Sequence, residues 1–291
     1  MNPEIRSVIA EHSKSFSLAS RLLDPAARED VAVLYAWCRR ADDEVDLAPI
    51  AERPERVARL YAELEAIYAG EVLGPPVLAE FQALVRRRGI PREYPQALLD
   101  GMRSELGAVR VATLEELLLY SYRVAGVVGL MLCHVFGLSD PRAKENAAHL
   151  GIAMQLTNIC RDVREDAERD RRYLPGDVLS ACGDLHGREL VRSAVERILA
   201  LASRYYRSAD AGFYALPLRA ALAARAARSV YAAIGDELAR RDFDALRGRV
   251  RVSGWKKLVL VASAVLKEVT ERARRRLFGR ALQPEALGGT R

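Results

Sequence analysis

The sequence predicts an all-α fold, a single packed bundle of roughly ten helices. Three observations predict it. Ala, Leu, Arg and Glu are abundant while aromatics make up only 7% of the chain, a balance that favours helices over sheets. Apolar residues recur at helical spacing, and nowhere do they alternate with period two between hairpin turns. Proline, glycine and short polar turns cut the pattern into segments of helical length. Half of the 291 residues are hydrophobic, enough to bury a sizeable core.

In chain order, the breaks fall at Asp24-Pro25, near Pro49 and Pro54, at Gly74-Pro75-Pro76, from Gly89 to Pro91, from Ser139 to Pro141, at Pro175-Gly176, around Gly183 to Gly187 and at Pro217. Helices are expected between them, several of them long. No repeat and no Ser/Gly linker divides the chain. One domain is therefore expected over 1–280, with 281–291 (ALQPEALGGTR) as a disordered tail.

Composition also excludes. The longest apolar stretches are VAGVVGLMLCHVFGL (124–138), interrupted by glycines and His134, and LVLVASAVL (258–266), which is too short to span a bilayer. The N-terminal MNPEIRSVIAEHSKS lacks a signal-peptide core, so a cytoplasmic location is expected. Formal charge is +6 and the pI near 9.2, compatible with phosphorylated small molecules or an anionic membrane face. The charge is dispersed and not interleaved with aromatics, so no nucleic-acid partner is expected. Cys38, Cys133, Cys160 and Cys182 lack zinc spacing and read as buried thiols.

Two segments carry chemistry. In YAWCRRADDEVD (35–46), Arg39, Asp42 and Asp46 share one helical stripe, with Asp43 and Glu44 expected to point elsewhere. Carboxylates at i and i+4 repel unless a cation joins them. A solvated helix face would look the same. The second segment, QLTNICRDVREDAERDRRYLP (155–175), aligns Gln155, Asn158, Asp162 and Asp166 on one face with no basic partner, a poor choice for solubility alone. Asp170 continues the spacing, so spacing leaves open which two of the three acids act. Two acidic jaws in a basic helical chain suggest a Mg²⁺–diphosphate site, because Mg²⁺ takes few protein carboxylates and leaves positions for phosphate oxygens. An apolar cavity between the helices would shield a carbocation from water.

Five blocks in order, HSKSFSLASRLL, LYAWCRRADDEVD, YSYRVAGVVG, AMQLTNICRDVREDAERDRRYLP and YAAIGDEL, resemble the squalene/phytoene synthase family from about residue 8 to about residue 270. The resemblance implies a terpenoid-synthase bundle with a central cavity, Mg²⁺ as cofactor, and head-to-head joining of two prenyl diphosphates. It implies Asp42, Asp46, Asp162 and Asp166 as catalytic and metal residues, against Asp170, which stands where the family usually has glycine. Tyr120 matches a tyrosine of the second half-reaction. His12, Lys14, Ser15, Phe16, Arg39, Gln155, Asn158, Arg161, Tyr231 and Arg249 match substrate-binding positions. Two departures stand out: ERDRR at 168–172, and GMRSELG at 101–107, where the family's acid falls at Ser104 or Glu105.

Among products, the resemblance favours phytoene from two geranylgeranyl diphosphates. The alternative is a C30 enzyme using farnesyl diphosphate, with NADPH required only by a squalene synthase. Side chains around Val128 and Gly129 are expected to set cavity depth. Loose association with the inner membrane face is a further expectation. A helical module that binds prenyl lipid or a membrane without catalysis is the reading from another class.

Overall fold

The computed structural model describes residues 14–278, and side chains from 17 to 275. The described chain is a helical bundle. Helix α1 spans Lys14–Ser20, α2 Pro25–Asp46, α3 Arg53–Ala69, α4 Pro76–Arg88 and α5 Glu93–Arg103. The chain continues through α6 (Leu114–Ser121), a π-helical turn (Tyr122–Gly126) and α7 (Val127–Val135). Helix α8 spans Pro141–Arg161, α9 Val163–Glu168, α10 Gly176–Ser180, α11 Gly187–Gly212, α12 Leu218–Arg240 and α13 Gly254–Phe278.

The starts of the two motif helices follow local chemistry. Asp24 accepts from the Ala27 N–H at 2.9 Å and Pro25 opens α2; Asp140 accepts from the Arg142 N–H at 3.0 Å and Pro141 opens α8. In each case a side-chain acceptor satisfies an orphan donor, and proline fills a position where no N–H is needed. Helices α2, α3 and α4 bury one core, in which Trp37 stacks on Phe81 at 4.3 Å between ring centroids.

The sequence expected no strand. Among the described residues, Val109–Arg110 (β1) and Arg171–Arg172 (β2) form a two-residue parallel ladder. It ties two loops together, and a pairing this short leaves no period to read.

Glycines do not break the chain at 124–138. The π turn carries helical structure through Gly126, and Leu114–Val135 is a 22-residue stretch of mean hydropathy 1.5, long and apolar enough by length and composition to cross a bilayer. Here it is a bundle element, with Leu117, Val127 and Met131 fully buried. It packs closely on α8, because a Cβ at Gly151 would collide with the Ala125 carbonyl and one at Gly129 with the Ala147 carbonyl. Helix α8 lies along α11 on its other side, so the second motif is carried by the central helix of the bundle.

Candidate active site

Asp42 and Asp46 occupy the last turns of α2. The second pair straddles a break: α8 ends at Arg161, Asp162 leaves helical geometry at φ −103°, and α9 resumes at Val163. The Asp162 N–H still bonds to the Asn158 carbonyl at 2.9 Å, and the Asp166 N–H to the Asp162 carbonyl at 2.8 Å. The helical path therefore persists as a kink, and the shared face survives.

Asp42 and Asp46 of the first pair and Asp166 of the second come close enough to Glu105, just past α5, to feel its charge. This side chain is buried and accepts hydrogen bonds from the Tyr120 hydroxyl at 2.9 Å and from the Tyr173 hydroxyl. The two tyrosine rings stack at 5.1 Å. Burial and the neighbouring Asp46 push the Glu105 carboxyl up, opposed by both tyrosine hydroxyls and Arg171. Its charge in turn acts on both jaws. Burial, Asp46 and then Glu105 push Asp42 up to about 6; burial, Asp162 and Glu105 push Asp166 up to about 7. Arg171 closes the arrangement, donating to Asp46 at 2.6 Å from the short strand β2.

Arginines compensate the remaining charge. Arg161 donates to Asp162 at 2.8 Å, and Arg249 lies 3.1 Å from the same carboxylate. Arg39 reaches Asp42 at 3.2 Å but also grips Asp43 through two nitrogens. Asp43 was expected to point away from this stripe. The long, planar guanidinium spans both the i+3 and i+4 positions.

Beside the acids lies a cavity of about 550 Å³. Gln155, Asn158, Arg161, Tyr231 and Arg249 line it toward the motifs. Apart from Ser20 and Tyr35, the rest of its wall is apolar, with Leu132 and Phe136 from the α7 side and Ala220, Ala223 and Ala227 from α12. Its lining on α8 runs from Ala147 to Arg161, about 21 Å of helix axis. Asn158 Oδ1 is buried without a hydrogen-bond partner, an unmet acceptor in the polar wall.

The family described as squalene/phytoene synthase matches residues 9–256. A 15-cis-phytoene synthase of Paracoccus sp. is 38% identical over 265 residues, covering 87% of each chain. A phytoene synthase of Pseudescherichia vulneris is 37% identical over 272 residues, covering 88% of each.

The chain belongs to the squalene/phytoene synthase family.

It is thus a prenyltransferase. The solved structure of a dehydrosqualene synthase superposes on this synthase with a TM-score of 0.82 at 26% identity, covering 92% of this chain and 96% of that one. A squalene synthase from Alicyclobacillus acidocaldarius shares the fold with a TM-score of 0.76 at 22% identity, covering 82% of this chain and 93% of that one.

The fold of the synthase sorts the candidate residues. Asp42, Asp46 and Asp166 interact with Glu105, Asp162 is held by Arg161 and Arg249 beside Asp166, and the five polar candidates on α8, α12 and the following loop line the cavity. Arg39 sits outside the cavity lining, on the acid side. Tyr120 belongs to the Glu105 cluster and not to the cavity wall. His12, and the side chains of Lys14, Ser15 and Phe16, lie outside the described residues. Asp170 adopts φ 57° and pairs with Arg110. It therefore fills a left-handed turn, the conformation glycine takes most readily, and lies outside the acid cluster.

Sequence reasoning left Glu105, Arg171 and Tyr173 unassigned. The signals were present in the acid of GMRSELG and in the run before Tyr-Leu-Pro, but both segments fall off the motif helices. Tyr35 and Cys38 also line the cavity. Burial and Tyr231 push the Tyr35 hydroxyl up to about 12, and burial and Asp42 do the same to the Cys38 thiol. Both stay protonated near neutral pH.

Proposed function

We propose that this synthase joins two geranylgeranyl diphosphates head to head, through a cyclopropylcarbinyl diphosphate, to give phytoene. The observation that carries the reading is the pair of acid jaws beside a cavity whose far walls are apolar. The names of the relatives at 37–38% identity support the C20 substrate.

The site suits Mg²⁺. Its donors are all oxygens, the choice of a hard cation. Two carboxyls are raised by burial and then by their acidic neighbours, and a divalent ion relieves the repulsion. Mg²⁺ takes one or two protein carboxylates and completes its shell with water and phosphate. Asp42 and Asp46 would hold one such ion, and Asp162 and Asp166 another. When bound, Mg²⁺ supplies positive charge to the diphosphate oxygens as the carbon–oxygen bond breaks.

The chain's own residues do the rest. Arg161 and Arg249 stand beside Asp162, where guanidinium groups can take up charge on a departing diphosphate. The apolar wall excludes water from the allylic cation, so it reacts with the second substrate's double bond. Proton loss then closes the cyclopropane; a second ionisation, rearrangement and proton loss give the 1-1′-linked product. Tyr120 and Tyr173, both bonded to Glu105, keep their protons because burial raises them well above the usual phenol range, so they act as fixed donors at the acid end.

A C30 reaction on farnesyl diphosphate is the second reading, favoured by the name of the structural neighbour at 26% identity. Incubation with Mg²⁺ and either labelled diphosphate, with and without NADPH, separates the two. Phytoene from the C20 substrate without NADPH is expected. Turnover of farnesyl diphosphate alone would overturn the C20 assignment. No diphosphate release from either would leave a non-catalytic lipid-binding module. Asp42→Ala and Asp162→Ala should each abolish turnover with the helical circular-dichroism spectrum unchanged.

A further inference from the structure

The helix α13 carries a feature that the reaction does not use. Its inner face packs normally: Ala264 is buried with Ala226 and Ala227 of α12, and Glu268 is buried against Arg225. Its outer face is greasy. At about 100° per residue, Trp255, Leu258, Val259, Ala262, Leu266 and Val269 fall on one stripe. All six are exposed, Trp255 at 75% and Leu266 at 65%. A surface helix ordinarily presents charge on that side, and a contiguous exposed apolar patch marks an interaction surface.

One edge of the stripe is basic. Lys256, Lys267 and Arg274 fall within a narrow sector beside it by the same helical count. Lys256 pairs with Glu237 at 2.5 Å, Lys267 lies 3.8 Å from Glu271, and Arg274 is exposed. The long, exposed Lys267 contact is weak and exchanges readily, whereas Lys256 is half-buried against Glu237. The whole chain is also positive, at +6.

We propose that this face of α13 seats the synthase on a lipid bilayer bearing anionic headgroups. The apolar stripe would enter the acyl boundary, with the basic edge against the phosphates. The stripe extends about 21 Å from Trp255 to Val269, and its apolar residues occupy one side only, so the helix lies in the plane of the membrane. A second copy of the chain fits less well. One helix face offers on the order of a few hundred Å², below the ~800 Å² per partner of a stable interface. Helix α12 adjoins both the cavity and α13: its Ala227 and Ile234 line the cavity, and the same two residues belong to the clusters that take in Val261 and Leu260 of α13. Docking would thus bring the cavity close to lipid. The benefit to a hydrocarbon product rests on the function proposed above; the surface itself does not.

The test is flotation of the full chain with vesicles of phosphatidylcholine alone and of phosphatidylcholine mixed with phosphatidylglycerol, alongside the emission of Trp255. Of the two tryptophans in the chain, Trp37 is buried, so a blue shift reports Trp255. Co-flotation with anionic vesicles and a blue shift are expected, both weakened by high salt. Leu266→Glu should lower the bound fraction about tenfold, with the thermal midpoint and turnover in detergent unchanged. Three results would overturn the proposal: no co-flotation of the unmodified chain, equal binding to both vesicle types, or a solution dimer that Leu266→Glu splits. Flotation requires no turnover, so its outcome is independent of the substrate assignment.

Discussion

Burial and the partner aspartate raise Asp42 and Asp166 most, and the charge of the buried Glu105 carboxylate adds to both. Glu105→Gln removes that charge while keeping an acceptor for the two tyrosines, so both aspartates should titrate lower. The acid limb of the rate–pH profile is expected to move to lower pH, measured as kcat/KM between pH 5 and 8. A second prediction concerns stability. Asp42 titrates at about 6 and Asp166 at about 7 in the fold, against roughly 3.9 in the unfolded chain. These raised groups favour the folded state below the unfolded value, and that contribution is lost as pH rises through 6 and 7. Without Mg²⁺, the thermal midpoint should therefore fall between pH 5 and 8 more steeply than in the Asp42→Asn/Asp166→Asn double variant. Adding Mg²⁺ at pH 8 should recover the loss in the unmodified chain only.

At the scale of elements, the contact between the π turn and α8 decides where the second motif stands. Gly151 lets the α8 backbone approach the Ala125 carbonyl, and Gly129 does the same at Ala147. Gly151→Ala drives a methyl into that carbonyl, an overpacking cost of about 1–3 kcal/mol. The thermal midpoint should drop by several degrees, and KM should rise, because Gly151 and Ala125 also line the cavity. The residues at this seam serve close packing and chain accommodation together. Val128 and Gly129, expected from the sequence to tune depth, both line the cavity.

For the whole molecule, a buried charge network fastens α13 to the bundle. Arg225 on α12 donates to Glu268 at 2.7 Å and to Glu271 at 2.6 Å, its guanidinium lies over the Phe213 ring, and Arg272 donates to Glu268 and to the Leu216 carbonyl. The Arg225 and Glu268 side chains are almost wholly inaccessible, at 4% and 2%. Removing one partner strands a desolvated charge, so Glu268→Ala should destabilise by ~3–5 kcal/mol, read by denaturant unfolding. Arg225 is an arginine amid the alanines of α12, and the sequence shows no sign of its partners 43 and 46 positions later.

The sequence by itself determined the helical class, the starts at Pro25 and Pro141, the two acid stripes and the apolar character of the wall. These are local properties: propensity, capping and 3.6-residue periodicity need no knowledge of the fold. Only the tertiary structure decided that Glu105, Arg171 and Tyr173 join the acids, that Asp170 serves a left-handed turn, and that Arg39 also holds Asp43. The first three come from a loop after α5, from β2 and from just beyond it. Burial in one cluster, and the field of one carboxylate on another, depend on distances in space that spacing along the chain does not encode.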